Sequence, residues 1–348
     1  MSGKKIYPED ISEKATNLQA IKFVRIFAKF FGLYYGRSEH WLYKFYFFFG
    51  LTVNFLNFIK SFFVYSLNDK LNTNTINNIL NSLIFFQSLC NNILMFFVNY
   101  KVKRIQGFME NYDQVFKNVQ DTRKIILKIK IVVYTTFALT FISIFVNWSI
   151  QYMPIFITAN TTVAAYLAPF QSSDWALNSL AYKLLMGLFF YFAIVSTNVP
   201  LAYYFIHSNM LNFILNNFNE KFKKMVDSSL ISNSTDKDKL EYENNKFCKK
   251  EEEFEQYFEF HRKICLLISI LNNCYKELIA LNLLALVPQI FLTLYILSNP
   301  VGHCLQIVDL GAWIFYFIEI TCSLVVVVVI AAKINTNVSR TGLFTVFL

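Results

Sequence analysis

Leu310-Gly-Ala-Trp-Ile-Phe-Tyr-Phe-Ile-Glu-Ile-Thr-Cys-Ser-Leu-Val-Val-Val-Val-Val-Ile-Ala-Ala332 decides the fold. A helix needs about 20 predominantly apolar residues to cross the hydrocarbon core of a bilayer. This stretch has that length, and from Val325 to Ile330 no side chain carries a polar atom. Working outward, five more stretches of this kind appear at residues 42–65, 79–98, 131–150, 184–206 and 278–297. The composition agrees: 55% of the 348 residues are hydrophobic and only 16% are charged. Soluble domains rarely combine those fractions. The reading is all-α: a polytopic transmembrane helical bundle.

The net charge of +9 does not point to nucleic acid, because the basic residues cluster between the apolar runs. Lys and Arg remain on the cytoplasmic side when a chain inserts. Eight of them precede or edge the first span: Lys4, Lys5, Lys14, Lys22, Arg25, Lys29, Arg37 and Lys44. The first connection holds only Lys70, and the second holds eight, from Lys101 to Lys130. The third has only Lys183, at its edge; the fourth has ten, from Lys221 to Lys263. The fifth has none, and Lys333 and Arg340 follow the sixth span. The alternation is strict and puts the N-terminus in the cytoplasm.

The expected organisation follows. Residues 1–41 form a cytoplasmic N-terminal segment with an amphipathic helix. Residues 42–206 hold spans one to four, and 207–263 a cytoplasmic helical extension and loop. Residues 264–332 hold spans five and six. Residues 333–348 are the cytoplasmic start of a C-terminal region. In the first segment Leu18, Ile21, Phe27, Phe30 and Phe31 make an apolar face and Lys22, Arg25 and Lys29 a basic one. That pattern predicts a helix lying in the membrane interface. Helical spacing continues from span four through Leu211, Leu215, Phe218, Phe222 and Met225, and into span five through Phe254, Tyr257, Phe258, His261 and Cys265. Helices four and five should therefore extend into the cytoplasm, with residues 227–245 as a polar flexible loop. The extension reads either as a helical assembly surface or as a solvated loop with transient helices.

No secretory signal peptide is visible, so the first span must act as the insertion signal. Of the sequons at Asn160, Asn233 and Asn337, only Asn160 falls in an outer loop, making it the one candidate for glycosylation. The six cysteines show no metal-ligand spacing, and the topology argues against a disulfide framework. No catalytic or cofactor-binding motif is present, so neither an enzyme nor a metal site is expected. The four histidines, His40, His207, His261 and His303, fall at span edges or in cytoplasmic helices and read as satisfied interfacial residues.

What chemistry remains is polar groups inside spans. Asn54, Asn57 and Lys60 interrupt the first span, and Asn81, Gln87, Asn91 and Asn92 the second. In lipid such groups must face other helices or water. Glu319 is the single acid well inside a span. It reads either as a ligand or ion contact or as a neutral acid with a packing role. Gln87, Asn147, Trp148, Gln289, Tyr295, Trp313, Tyr316 and Glu319 all fall in the outer halves of spans. Aromatic walls with a few polar anchors suit an outward-facing pocket for a small molecule; helix packing and an interfacial aromatic belt are the other reading. Pro200 and Pro288 lie within spans four and five, where each removes a backbone hydrogen bond.

The layout resembles the invertebrate, insect-type gustatory and odorant receptor superfamily, with the gustatory branch favoured. The resemblance is carried by the lead-in Phe23-Val-Arg-Ile-Phe-Ala-Lys-Phe-Phe-Gly-Leu-Tyr34 before the first span. It is carried also by a longest cytoplasmic connection between spans four and five. The approach to span five, His261-Arg-Lys-Ile-Cys-Leu-Leu267 and then Asn272-Asn-Cys-Tyr275, is similar too. The resemblance implies seven spans, a cytoplasmic N-terminus, residence in the plasma membrane and a homo- or hetero-tetrameric ligand-gated cation channel serving chemosensation such as taste. It also implies a ligand pocket among the outer ends of the helices and a pore lined by the seventh span. Thr341-Gly-Leu-Phe-Thr-Val-Phe-Leu348 is too short for that span and lacks the family's signature, so a chain truncated before it is expected. Two other classes stay open. A G-protein-coupled chemoreceptor of a divergent invertebrate family is opposed by the basic loops, and a transporter by the lack of an internal repeat.

Overall fold

The computed structural model describes residues 19–35, 40–62, 73–115, 122–152, 178–232, 240–298 and 307–346. Seven helices and no strand occur among them: α1 (Gln19–Phe30), α2 (Trp41–Phe62), α3 (Thr73–Val115), α4 (Thr122–Tyr152), α5 (Leu180–Ser232), α6 (Leu240–Ser298) and α7 (Ile307–Val346). Six are long and apolar enough to cross a membrane, α2 to α7, with spans within Trp41–Phe62, Asn78–Val102, Leu127–Ser149, Leu180–Met225, His261–Ser298 and Leu310–Ile334. These are the six stretches read from the sequence.

Helix α5 is the centre of the bundle and touches each of the other six helices. Its span is 61% buried, against 22% for α7. The cause is visible in its sequence. From Phe190 to Ser208 apolar and small polar residues occupy every face, and a helix apolar all round has no side that prefers water. Phe190, Ala193, Val195, Val199, Tyr203 and Ile214 are fully enclosed. Pro200 lies inside α5 and Pro288 inside α6, and both helices run through them. By contrast, Phe45, Phe55, Phe97, Leu139, Phe145, Phe291 and Val328 stand on the outside. So much exposed apolar surface suits lipid and not water.

Helices α5 and α6, at 53 and 59 residues, run about 80–90 Å at 1.5 Å per residue. A hydrocarbon core is only about 30 Å thick, so both project well beyond it. The polar stretch 227–245 is less of a loop than its composition suggests. Helix α5 continues to Ser232 and α6 starts at Leu240.

The N-terminal helix also departs from expectation. It does not merely lie on the membrane interface, because Val24, Phe27, Ala28 and Phe31 are enclosed by protein. Phe27 meets Phe137 of α4 edge to face at 4.9 Å. Of the predicted apolar face, Phe30 stays 56% exposed; Leu18 and the Ile21 side chain lie outside the described residues. Gly32 ends α1 at φ 69°, a left-handed conformation suited to glycine. Gly32 N–H donates to Lys29 O at 3.0 Å, and Leu33 N–H to Ala28 O at 2.9 Å. Asn99 Nδ2 of α3 then donates to Leu33 O at 2.6 Å, fixing the turn inside the bundle.

His207 is a second departure. It is buried between α5 and α6 and not interfacial, with Nδ1 2.8 Å from Tyr203 O and 3.1 Å from Tyr275 Oη. The apolar spacing that continues beyond span four, through Leu211 and Leu215, packs against α6 and draws the ring into the core.

Candidate functional site

Of the polar residues that interrupt α2 and α3, Asn54, Asn57, Gln87 and Asn91 face inward and form a seam of hydrogen bonds, while Asn92 is buried without a hydrogen-bond partner among the described residues. On α2, Asn54 and Asn57 lie three residues apart and share one face. Asn54 Nδ2 donates to Ser196 Oγ of α5 at 2.7 Å, and Asn57 Nδ2 to Phe189 O at 2.7 Å. Lys60, one turn further, lies 3.8 Å from Met186 Sδ and over the Phe85 ring. On α3, Asn91 Nδ2 donates to Ser196 O at 3.1 Å and to Asn282 Oδ1 of α6 at 3.2 Å. Asn282 Nδ2 donates back to Asn91 Oδ1 at 2.9 Å and to Leu278 O at 2.7 Å.

One turn outward the seam continues. Gln87 Nε2 donates to Asn282 Oδ1 at 2.6 Å, and Gln289 Nε2 donates to Gln87 Oε1 at 2.9 Å. Tyr316 Oη of α7 donates to Gln289 Oε1 at 2.9 Å. Backbone atoms are committed to the helices, so amide side chains are the groups that can link α3, α6 and α7 in an apolar medium.

The seam ends at a cavity of about 30 Å³ where α3 to α7 converge. Gln87, Asn147, Gln289, Tyr316 and Glu319 line it, with Thr197, Asn198 and Ser323. Ile84, Phe190, Ile194, Leu201, Leu286 and Ile320 form its apolar walls. This volume holds one or two waters. Both oxygens of Glu319 accept hydrogen bonds from α4: Ser143 Oγ reaches Oε1 at 2.9 Å, and Asn147 Nδ2 reaches Oε2. Each donor is neutral. Asn198 of α5 lines the same cavity.

Of the eight residues nominated from sequence, five therefore meet at one cavity. Trp313 sits behind it, edge to face with Tyr316 at 6.2 Å. Trp148 turns the other way, and its Nε1 donates to Gly187 O at 3.1 Å. It lines a separate groove of about 450 Å³ between α4 and α5, walled by Phe31, Phe141, Phe145, Leu184, Leu188 and Tyr191. Tyr295 is 50% exposed and lines neither space. Ser143, Asn198 and Asn282 were not singled out in the sequence. Ser143 and Asn282 are each flanked by apolar residues, Asn198 follows Ser196 and Thr197, and only spatial neighbours give each a role. Asn160 lies outside the described residues.

Among the described residues, no group of His, Cys, Asp and Glu could hold a metal ion. No protein-family model matches the sequence, and no curated protein matches it. Among solved structures it is similar to the insect olfactory receptor OR5 from Machilis hrabei, at a TM-score of 0.64 and 13% identity, over 92% of this chain and 80% of that one. At that identity the likeness is one of fold: the chain has the helical architecture of an insect olfactory receptor.

Proposed function

We propose that the protein is a chemosensory receptor subunit: a ligand-gated cation channel, homo- or hetero-tetrameric, that resides in the plasma membrane and transduces binding of a small molecule. The observation that carries this reading is a likeness to an olfactory receptor along 92% of the chain. The charge pattern supports the topology, with the N-terminus and the long ends of α5 and α6 in the cytoplasm. The gustatory branch rests on the sequence features alone. The ligand site is the outward-facing cavity around Gln87, Asn147, Gln289, Tyr316 and Glu319. Trp313 backs its aromatic wall, while Trp148 and Tyr295 lie outside it and contribute only if the site widens on binding.

The test is calcium entry into cells expressing the protein, challenged with a panel of tastants and odorants, with G-protein signalling blocked. Ligand-evoked entry that survives the block is the expected result. Entry abolished by the block would favour a G-protein-coupled receptor, as would an N-terminal tag that stains intact cells. Either outcome would overturn the channel.

A further inference from the structure

We propose that the cavity takes the ammonium group of a small organic amine, with Glu319 as its counter-charge. The inference rests on reading this cavity as the ligand site, and it names the ligand's chemical class.

Glu319 is the single acid within the six apolar stretches read from the sequence, and it lines the cavity. Its partners, Ser143 and Asn147, bring one neutral donor to each oxygen. Donors on each oxygen are the arrangement of a carboxylate. Among the described residues no Lys, Arg or His forms an ion pair with it. A carboxylate in a low-dielectric interior needs a compensating charge, because hydrogen bonds alone replace only part of its hydration. The protein supplies the donors and leaves out the cation.

The rest of the cavity fits that missing group. A carboxylate has about four lone-pair sites, and the two donors from α4 leave room for an ammonium group. The free volume of about 30 Å³ matches a head group the size of water. The Tyr316 and Phe190 rings line the same space, and aromatic faces attract a desolvated cation. Ile84, Leu286 and Ile320 offer an alkyl chain an apolar wall into which to press. A neutral alcohol could use the same donors and acceptors, but it would leave the charge uncompensated. A carboxylic acid would be repelled.

The experiment uses the whole chain in phosphatidylcholine nanodiscs at pH 7, with empty nanodiscs as the blank. Pentylamine and pentanol, equal in length, are titrated while the tryptophan fluorescence is followed. Pentylamine should bind at least tenfold more tightly than pentanol. Glu319→Gln should bring the two within twofold, and an unchanged thermal-unfolding midpoint of that variant reports an intact fold. Glu319→Asp should keep the preference. Equal binding of both probes to the wild type would overturn the amine assignment, as would a preference that survives Glu319→Gln. If pentanol binding is then still lost in Gln289→Leu, the cavity remains a ligand site and only the ligand class fails. If neither probe binds and no ligand evokes calcium entry, both readings fail together.

Discussion

Asn91 and Asn282 form a reciprocal amide pair between α3 and α6, each side chain donating to the other's carbonyl oxygen at 2.9 and 3.2 Å. The pair anchors the seam that reaches Gln87, Gln289 and Tyr316. Interhelical hydrogen bonds in membranes average about 0.6 kcal/mol and reach about 1.7. Asn282 accepts from two donors, so its deletion should fall at the high end. A double-mutant cycle with Asn91→Ala and Asn282→Ala, followed by unfolding in detergent, should give a coupling of about 1–2 kcal/mol. A coupling near zero would mean that the helices are held by packing alone.

Gly32→Ala should destabilise the α1 turn through two separable terms. The left-handed conformation costs a residue with a Cβ about 1–2 kcal/mol. An added Cβ would also lie 2.9 Å from Tyr46 Cε1 of α2. Tyr46→Ala in the Gly32→Ala background should relieve the steric part and leave the conformational part. Thermal unfolding of the single and double variants measures both.

Phe27 anchors α1 to the bundle, being 1% exposed and packed on Phe31 and Phe137. Phe27→Ala should cost about 3–5 kcal/mol locally, the range for deleting a buried aromatic ring. Phe30→Ala, at an exposed position on the same helix, should cost far less. Limited proteolysis of α1 in the two variants distinguishes them: faster cleavage is expected for Phe27→Ala alone. Equal rates would place α1 on the surface.

The orientation predicts that Asn160 alone of the three sequons accepts glycan. A glycosidase-sensitive shift should disappear in Asn160→Gln and persist in Asn233→Gln and Asn337→Gln. Glycan on Asn233 would invert the topology.

Within the cavity, Gln289→Leu should weaken the response to any ligand of the site about tenfold, equivalent to about 1.4 kcal/mol. It removes the residue that joins Gln87 to Tyr316. Dose–response curves for calcium entry measure the change. Tyr295→Phe, on an outward-facing residue, should leave the curve unmoved.

The sequence by itself determined the class of fold, the six spans and the expected orientation. Those features are local: hydropathy over about 20 residues and the position of each cation depend on no distant contact. It also located the polar groups that had to be satisfied inside, because Asn54, Asn57, Gln87 and Asn91 are costly in lipid wherever they lie. Which helix would meet them was not legible. The pairing of Asn91 with Asn282, and of Glu319 with Ser143 and Asn147, joins residues more than 170 positions apart. Periodicity in a membrane helix is weak, since the lipid-facing and core-facing sides are both apolar. For that reason depth alone groups Trp148 and Tyr295 with the cavity, and only the rotation of each helix separates them from it. The burial of α1 and of His207 was likewise a tertiary decision. An amphipathic helix reads alike whether its apolar face meets acyl chains or protein, and the packing around α5 chose protein.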